Sequence, residues 1–208
     1  VRFFRTTVML MAALAATAAC SRPASDDSGD WCTDTIAALT SEQKRWYDYD
    51  KTHGGENEDL TQFLTPPNPP ATTEQIDAAE QRLGKRFDRQ LREWLGHANG
   101  WRFVFGSTAF FSTEQLTRES PEREIFLDLL DESEVSADEF GVRSFDDLIL
   151  IGANNDQSRF VLTVGCEGNG ACASAPVWTF GRETRTYPSL RDYLTTMVDQ
   201  LRTVHRSP

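Results

Sequence analysis

Histidine is scarce in this chain, and positive charge is outnumbered by negative. The three histidines are His53, in a loop, His97, near the end of a helical run, and His205, at the C-terminus. They form no His-x-x-x-His pair that could hold a metal on one helix face. A Gly-x-Ser-x-Gly elbow and a Walker-type phosphate loop are also missing. Gly165, Gly168 and Gly170 are followed by neither a Lys nor a helix start, so they read as a turn between strands. No catalytic residue, no cofactor and no metal ion is therefore expected. His97, beside Asn99 and Gly100, reads as a surface residue or a partner of a helix C-terminal dipole. Paired acids such as Asp146 and Asp147, or Asp131 and Glu132, read as a solvated face before they read as acid–base pairs.

The basic deficit excludes a second class of function. Lys and Arg number 21 against 32 Asp and Glu, a formal charge of −11. Such a surface repels phosphate backbones, so nucleic acid is not an expected ligand. A basic protein is the natural electrostatic complement, and plain solubility is the bland alternative.

Long apolar runs are missing too. The uncharged stretch Thr6–Ala19 falls short of the roughly 20 residues a membrane helix needs. It follows Arg2 and Arg5 and ends in the small residues Thr17, Ala18 and Ala19 directly before Cys20. That is the layout of an export signal. The junction resembles a bacterial lipobox, which implies cleavage after residue 19 and a lipid on the Cys20 thiol. On this reading the protein is lipid-anchored on the exported side of the cell membrane or outer envelope. Loss of Arg2 and Arg5 takes the charge from −11 to −13.

Export makes an oxidising environment the expected one, where disulfides persist. Cys166 and Cys172 flank Glu-Gly-Asn-Gly-Ala between two strand-like runs and could meet across a hairpin. Closing so short a loop is worth about 2 kcal/mol by chain entropy. Cys32 is left odd, free or paired in place of one of the others. Three cysteines at these spacings match no zinc finger or ribbon.

Residues 1–19 are thus read as signal, 20–30 as a flexible tether, 31–71 as a helical segment with a Pro-rich connector, and 72–204 as the globular domain. Asp34–Lys51 carries Ile36, Leu39, Trp46 and Tyr47 and predicts a helix packed on the domain. Pro66, Pro67, Pro69 and Pro70 then impose an extended connector. Thr72 and Gln75 have capping-box spacing, and Ile76, Ala79 and Leu83 fall on one face before Gly84. Asp88 caps a second helix with Leu91, Trp94, Leu95 and Ala98 at i, i+3, i+4 and i+7, and Asn99–Gly100 is its expected end.

The period then changes. Strands are expected at Trp101–Phe105, Thr108–Phe111, Leu148–Ile151, Arg159–Val164 and Val177–Phe180, with a helix at Pro121–Val135. Pro188 and Ser189 introduce a final helix with Leu190, Tyr193, Leu194, Met197, Val198, Leu201 and Val204 on its apolar side. Helices at both ends around a run of strands define an α+β domain on a mostly antiparallel sheet.

The stretch from Pro70 to Gly100 resembles the SUKH superfamily, which contains yeast Smi/Knr-like cell-wall regulators and many bacterial toxin-immunity proteins. The resemblance rests on a first helix with Glu80 ending in Leu83-Gly84 and a second ending in Asn99-Gly100. The Ile-Gly strand at Asp147–Gly152, Asp156 in the turn beyond it, and the closing strand and helix extend the likeness to about Gln200. It implies a non-enzymatic domain that binds another protein. The partner would be a toxin domain, or a wall-associated protein held by an envelope scaffold or regulator. The acids Glu122, Glu124, Asp128, Asp131 and Glu132 are the candidate contact; a solubilising insertion is the competing reading. Trp31 and Trp46 lie outside the resemblance, and packing on the domain is their default reading, with an exposed binding patch the alternative.

Overall fold

The computed structural model describes residues 30–53, 60–166 and 171–204. The export segment with Cys20, nearly all of the tether, Gly168, Gly170 and His205 lie outside the described residues.

Helix α2 spans Thr73–Leu83 and begins with a full capping box: Gln75 N donates to Thr72 Oγ1, and Thr72 N donates to Gln75 Oε1. Such reciprocal bonds satisfy two of the amides every helix start leaves open. Ile76, Ala79 and Leu83 are buried, and Gly84 ends the helix in the left-handed region at φ 64°. Helix α3, Arg89–Leu95, is capped by Asp88, whose Oδ1 accepts from Gln90 N and Leu91 N.

This second helix stops at Leu95, before the expected Asn99–Gly100 end. His97 N and Ala98 N both donate to Trp94 O, which closes the last turn early. The chain must then leave the helix axis, because Asn99 Oδ1 accepts from Thr113 N at 2.7 Å. Gly100, at φ 90°, lies so close to the segment after the strand Thr108–Phe110 that a Cβ would sit 2.9 Å from Ser112 N. Ala98 remains buried, so the apolar stripe reaches the core through a turn.

Six antiparallel strands form one sheet in sequence order: β1 Trp101–Phe105, β2 Thr108–Phe110, β3 Leu148–Asn154, β4 Phe160–Val164, β5 Val177–Phe180 and β6 Arg185–Tyr187. Helix α4, Pro121–Glu132, lies between β2 and β3 in the chain, and α5, Leu190–Val204, follows β6. The sheet and terminal helices make an α+β domain. Strand β6 was not foreseen. It is short and mostly exposed and so has no apolar alternation to announce it. Gly152 sits where β3 shifts register against β4, and a Cβ there would run into Ala109 O of β2.

Strand alternation divides the sheet into two faces. Phe110 packs its ring 5.7 Å from Trp94 of α3 and 6.1 Å from Tyr193 of α5. On the other face, Phe126 of α4 meets Phe160 and Phe180, while Phe140 meets Trp178 and Phe180. Strands β4 and β5 are therefore covered on both sides, and every residue of β5 is buried.

Helix α1, Trp31–His53, packs on α5 and on β1. Its Gln43 amide donates to the carbonyls of Phe103 and Val104, and Leu39 is fully buried. Trp31 stacks on Trp94 at 6.4 Å, and Trp46 meets Phe63 edge-on at 5.2 Å. Both tryptophans are half-buried and serve packing. The Pro-rich connector is stitched to the end of α3: Asn68 N donates to Gly100 O and Ala71 N to Leu95 O, both at 2.9 Å. Among the described residues, no helix is long and apolar enough to cross a membrane.

Candidate functional site: an acidic helix and a charged cleft

Glu80 is one of the few buried acids, with 4% of its surface exposed. Its Oε1 accepts from Phe87 N at 2.8 Å and lies 2.7 Å from Arg92 Nη1; its Oε2 lies 2.8 Å from Arg86 Nη1. The two arginine approaches are ion pairs by distance but are not aligned as hydrogen bonds. A carboxylate near a helix C-terminus opposes the helix dipole. Here two guanidiniums and a backbone amide offset that cost, so Glu80 holds the α2–α3 turn.

That turn forms one wall of a cleft of about 940 Å³, lined by Asp77, Glu80, Lys85, Arg86, Arg143 and Asp147 among others. Lys85 Nζ reaches Asp147 Oδ1 at 2.6 Å and holds that carboxyl below its usual range. Arg92 bridges Asp77 and Glu80. The cleft's charges are thus largely spent on one another. Its cations escaped the sequence reading because only the tertiary fold places residues 84–86 beside residues 141–147.

Cys166 also lines the cleft and is bonded to Cys172, the two Cα atoms lying 5.6 Å apart. Cys166 N donates to Arg86 O, and Arg89 N donates to Cys172 O. The bridged β4–β5 connection is thereby tied to the α2–α3 turn. Cys32 is free and buried. Asp156 lies in the β3–β4 turn, where Ser158 bonds its carboxylate and lowers its pKa.

Helix α4 has the opposite character. Ser120 caps it, accepting from Arg123 N, and Pro121 stands at its first position. Phe126 and Leu130 are fully buried, and the buried Arg123 donates to Phe145 O and to Asp146 Oδ1. The helix is therefore part of the core and is not a loose insertion. Glu124, Asp128, Asp131 and Glu132 are exposed and follow i, i+4, i+7, i+8 spacing along its outer side. Glu122 departs from this set: it is half-buried, off the stripe, in the first turn, where negative charge suits the dipole.

Among the described residues no cation pairs with the four stripe acids. Like charges at i, i+4 cost about 0.2–0.5 kcal/mol each. Asp131 and Glu132 also face the unfavourable dipole end, with no basic residue in the last turn. The stripe is locally destabilising, yet it is mounted on a helix held rigid from below.

A six-stranded antiparallel meander closed by helices at both ends, with the Glu80-centred turn at its entry, defines the class of domain. Residues 70–196 match the SMI1 / KNR4 family (SUKH-1), and the chain belongs to that family. The match includes the Leu83-Gly84, Asn99-Gly100 and Gly152 positions, whereas α1 and the last part of α5 lie beyond it. Comparison with curated proteins found no match to the chain.

Proposed function

We propose that this protein binds another protein without chemical turnover, as an immunity-type inhibitor of a toxin displayed on the envelope by a lipid at Cys20. The observation that carries the reading is the unpaired acidic stripe of Glu124, Asp128, Asp131 and Glu132 on a buried-faced helix. Uncompensated charge on a rigid support is pre-organised to meet a basic surface, and it speeds encounter more than it deepens affinity. The overall charge, −11 for the whole chain and −13 once Arg2 and Arg5 are removed, adds long-range attraction to a basic partner.

The test is capture of secreted and envelope proteins at low and high salt, followed by binding of the purified partner. Wild type is compared with a variant carrying Asp128→Asn, Asp131→Asn and Glu132→Gln. Screening length falls from about 10 Å at 0.1 M to about 3 Å at 1 M salt, so capture should weaken and the variant should associate more slowly. Binding indifferent to both salt and the substitutions removes the acidic-stripe mechanism; substrate turnover removes the binding-only reading. For the anchor, labelled fatty acid should enter the wild type and not Cys20→Ser. Equal labelling and membrane retention of the two would refute lipidation.

A further inference from the structure

Far from the acidic stripe, the start of α1 meets the end of α3. Asp30, Cys32 and His97 come together there, each offering one donor atom, and the three atoms lie within 4.8 Å of one another. We propose that these residues form a structural site for one divalent cation of the zinc type, with solvent completing the coordination.

The histidine carries the argument. His97 Nδ1 lies 2.8 Å from Glu93 O, and a backbone carbonyl can only accept, so Nδ1 bears the hydrogen. The other ring nitrogen, Nε2, faces Asp30 Oδ2, 3.0 Å away, beside the buried Cys32. A positive charge at this point, a metal ion or a proton on Nε2, satisfies both atoms. Orientation of a ligating histidine by a carbonyl on its other nitrogen is the usual second contact at protein metal sites.

The remaining chemistry agrees. Thiolate, imidazole and carboxylate together suit zinc better than magnesium or calcium, which prefer oxygen alone. Ligand atoms around tetrahedral zinc are separated by about 3.3–3.8 Å, from bonds of about 2.0–2.3 Å, so closure of the cluster needs shifts on the order of 1 Å. His97 and Asp30 are partly exposed and leave room for water, while Cys32 is 1% exposed and anchors the site from below. Burial, reinforced by the Glu93 and Asp30 charges and opposed by Arg191, pushes the Cys32 thiol up to about 12. The metal would displace that proton to solvent, and the same two carboxylates that disfavour a bare thiolate favour a bound cation.

A proton on His97 is the competing explanation of the short contact, and Asp30 also caps α1 through Thr33. The two explanations differ in whether Cys32 takes part. A cation would clamp the start of α1, which lies outside the family match, onto α3 within it.

The experiment uses the chain bearing Cys20→Ser, so that Cys32 is the free thiol beside the 166–172 disulfide. Co²⁺ alone is titrated in, followed by displacement with Zn²⁺. Expected are one Co²⁺ per chain with thiolate-to-cobalt charge-transfer absorption, its loss on adding Zn²⁺, and a higher unfolding temperature with Zn²⁺. Cys32→Ser should abolish the absorption, and the surface variants His97→Gln and Asp30→Asn should each weaken binding at least tenfold. No charge-transfer band at saturating Co²⁺ overturns the proposal and leaves an imidazolium–carboxylate pair. Metal uptake unchanged in His97→Gln and Asp30→Asn overturns it as well, placing the ion on the acidic surface.

Discussion

Replacing Glu80 tests how the α2–α3 turn is held. Its carboxylate accepts one hydrogen bond from Phe87 N and sits between Arg86 and Arg92, of which Arg86 is half-exposed and Arg92 about a quarter exposed. A hydrogen bond to a charged group contributes about 1.5–3 kcal/mol. The Arg86 pair, screened by solvent, adds at most about 1 kcal/mol. Arg92 adds more, because its Nη1 is buried and would be stranded. Glu80→Ala should therefore cost about 3–4 kcal/mol, and Glu80→Gln, which keeps an acceptor for Phe87 N, about half as much. For a domain of this size each kcal/mol moves the midpoint by about 2–4 °C. Thermal unfolding followed by circular dichroism should show a fall of about 6–16 °C for Ala and a clearly smaller one for Gln. A double-mutant cycle with Arg92→Gln should reveal coupling between the two residues. An Ala variant within a degree of wild type, or coupling of zero, would refute the turn-holding role.

Two further outcomes follow from the same geometry. Burial raises the Asp88 carboxyl to about 6, so the folded state binds this proton more tightly than the unfolded chain. Its contribution to stability is full below about pH 4 and is lost as pH rises through about 6, a ceiling of about 3 kcal/mol. Asp88→Asn keeps an N-cap and should flatten the stability profile over that window; an unchanged slope in denaturant titrations places the proton elsewhere. Non-reducing peptide mapping of the exported protein should recover Cys166 linked to Cys172, and Cys166→Ser should lose about 2 kcal/mol together with order in the 86–89 turn. A Cys32 linkage to either residue would contradict the pairing.

Local chemistry was legible wherever neighbours in sequence decide the outcome. The Thr72–Gln75 box, the Asp88 cap, the apolar stripe of α5 and the strands from Trp101 to Phe180 each follow from periodicity and caps within a few residues. The family likeness rested on the same short-range signals, and the match over residues 70–196 bears it out. Where the sequence misled, a distant partner intervened. Helix α3 ends early because Asn99 and Gly100 must fit against residues 112–113, and β6 exists because β5 offers it an edge.

The charge stripe of α4 could be read as acidic from sequence alone. Burial of Phe126, Leu130 and Arg123 beneath it, which makes the stripe rigid, could not. Composition and spacing therefore determined the α+β class, the helix ends set by local caps and the negative surface. Tertiary structure decided which charges are spent. It paired Glu80 with Arg86 and Arg92 and Lys85 with Asp147, left the four stripe acids of α4 without a cation among the described residues, and drew Asp30 and Cys32 to His97. Coulomb and hydrogen-bond energies depend on distances of a few ångströms, and a linear sequence does not record such distances between remote residues.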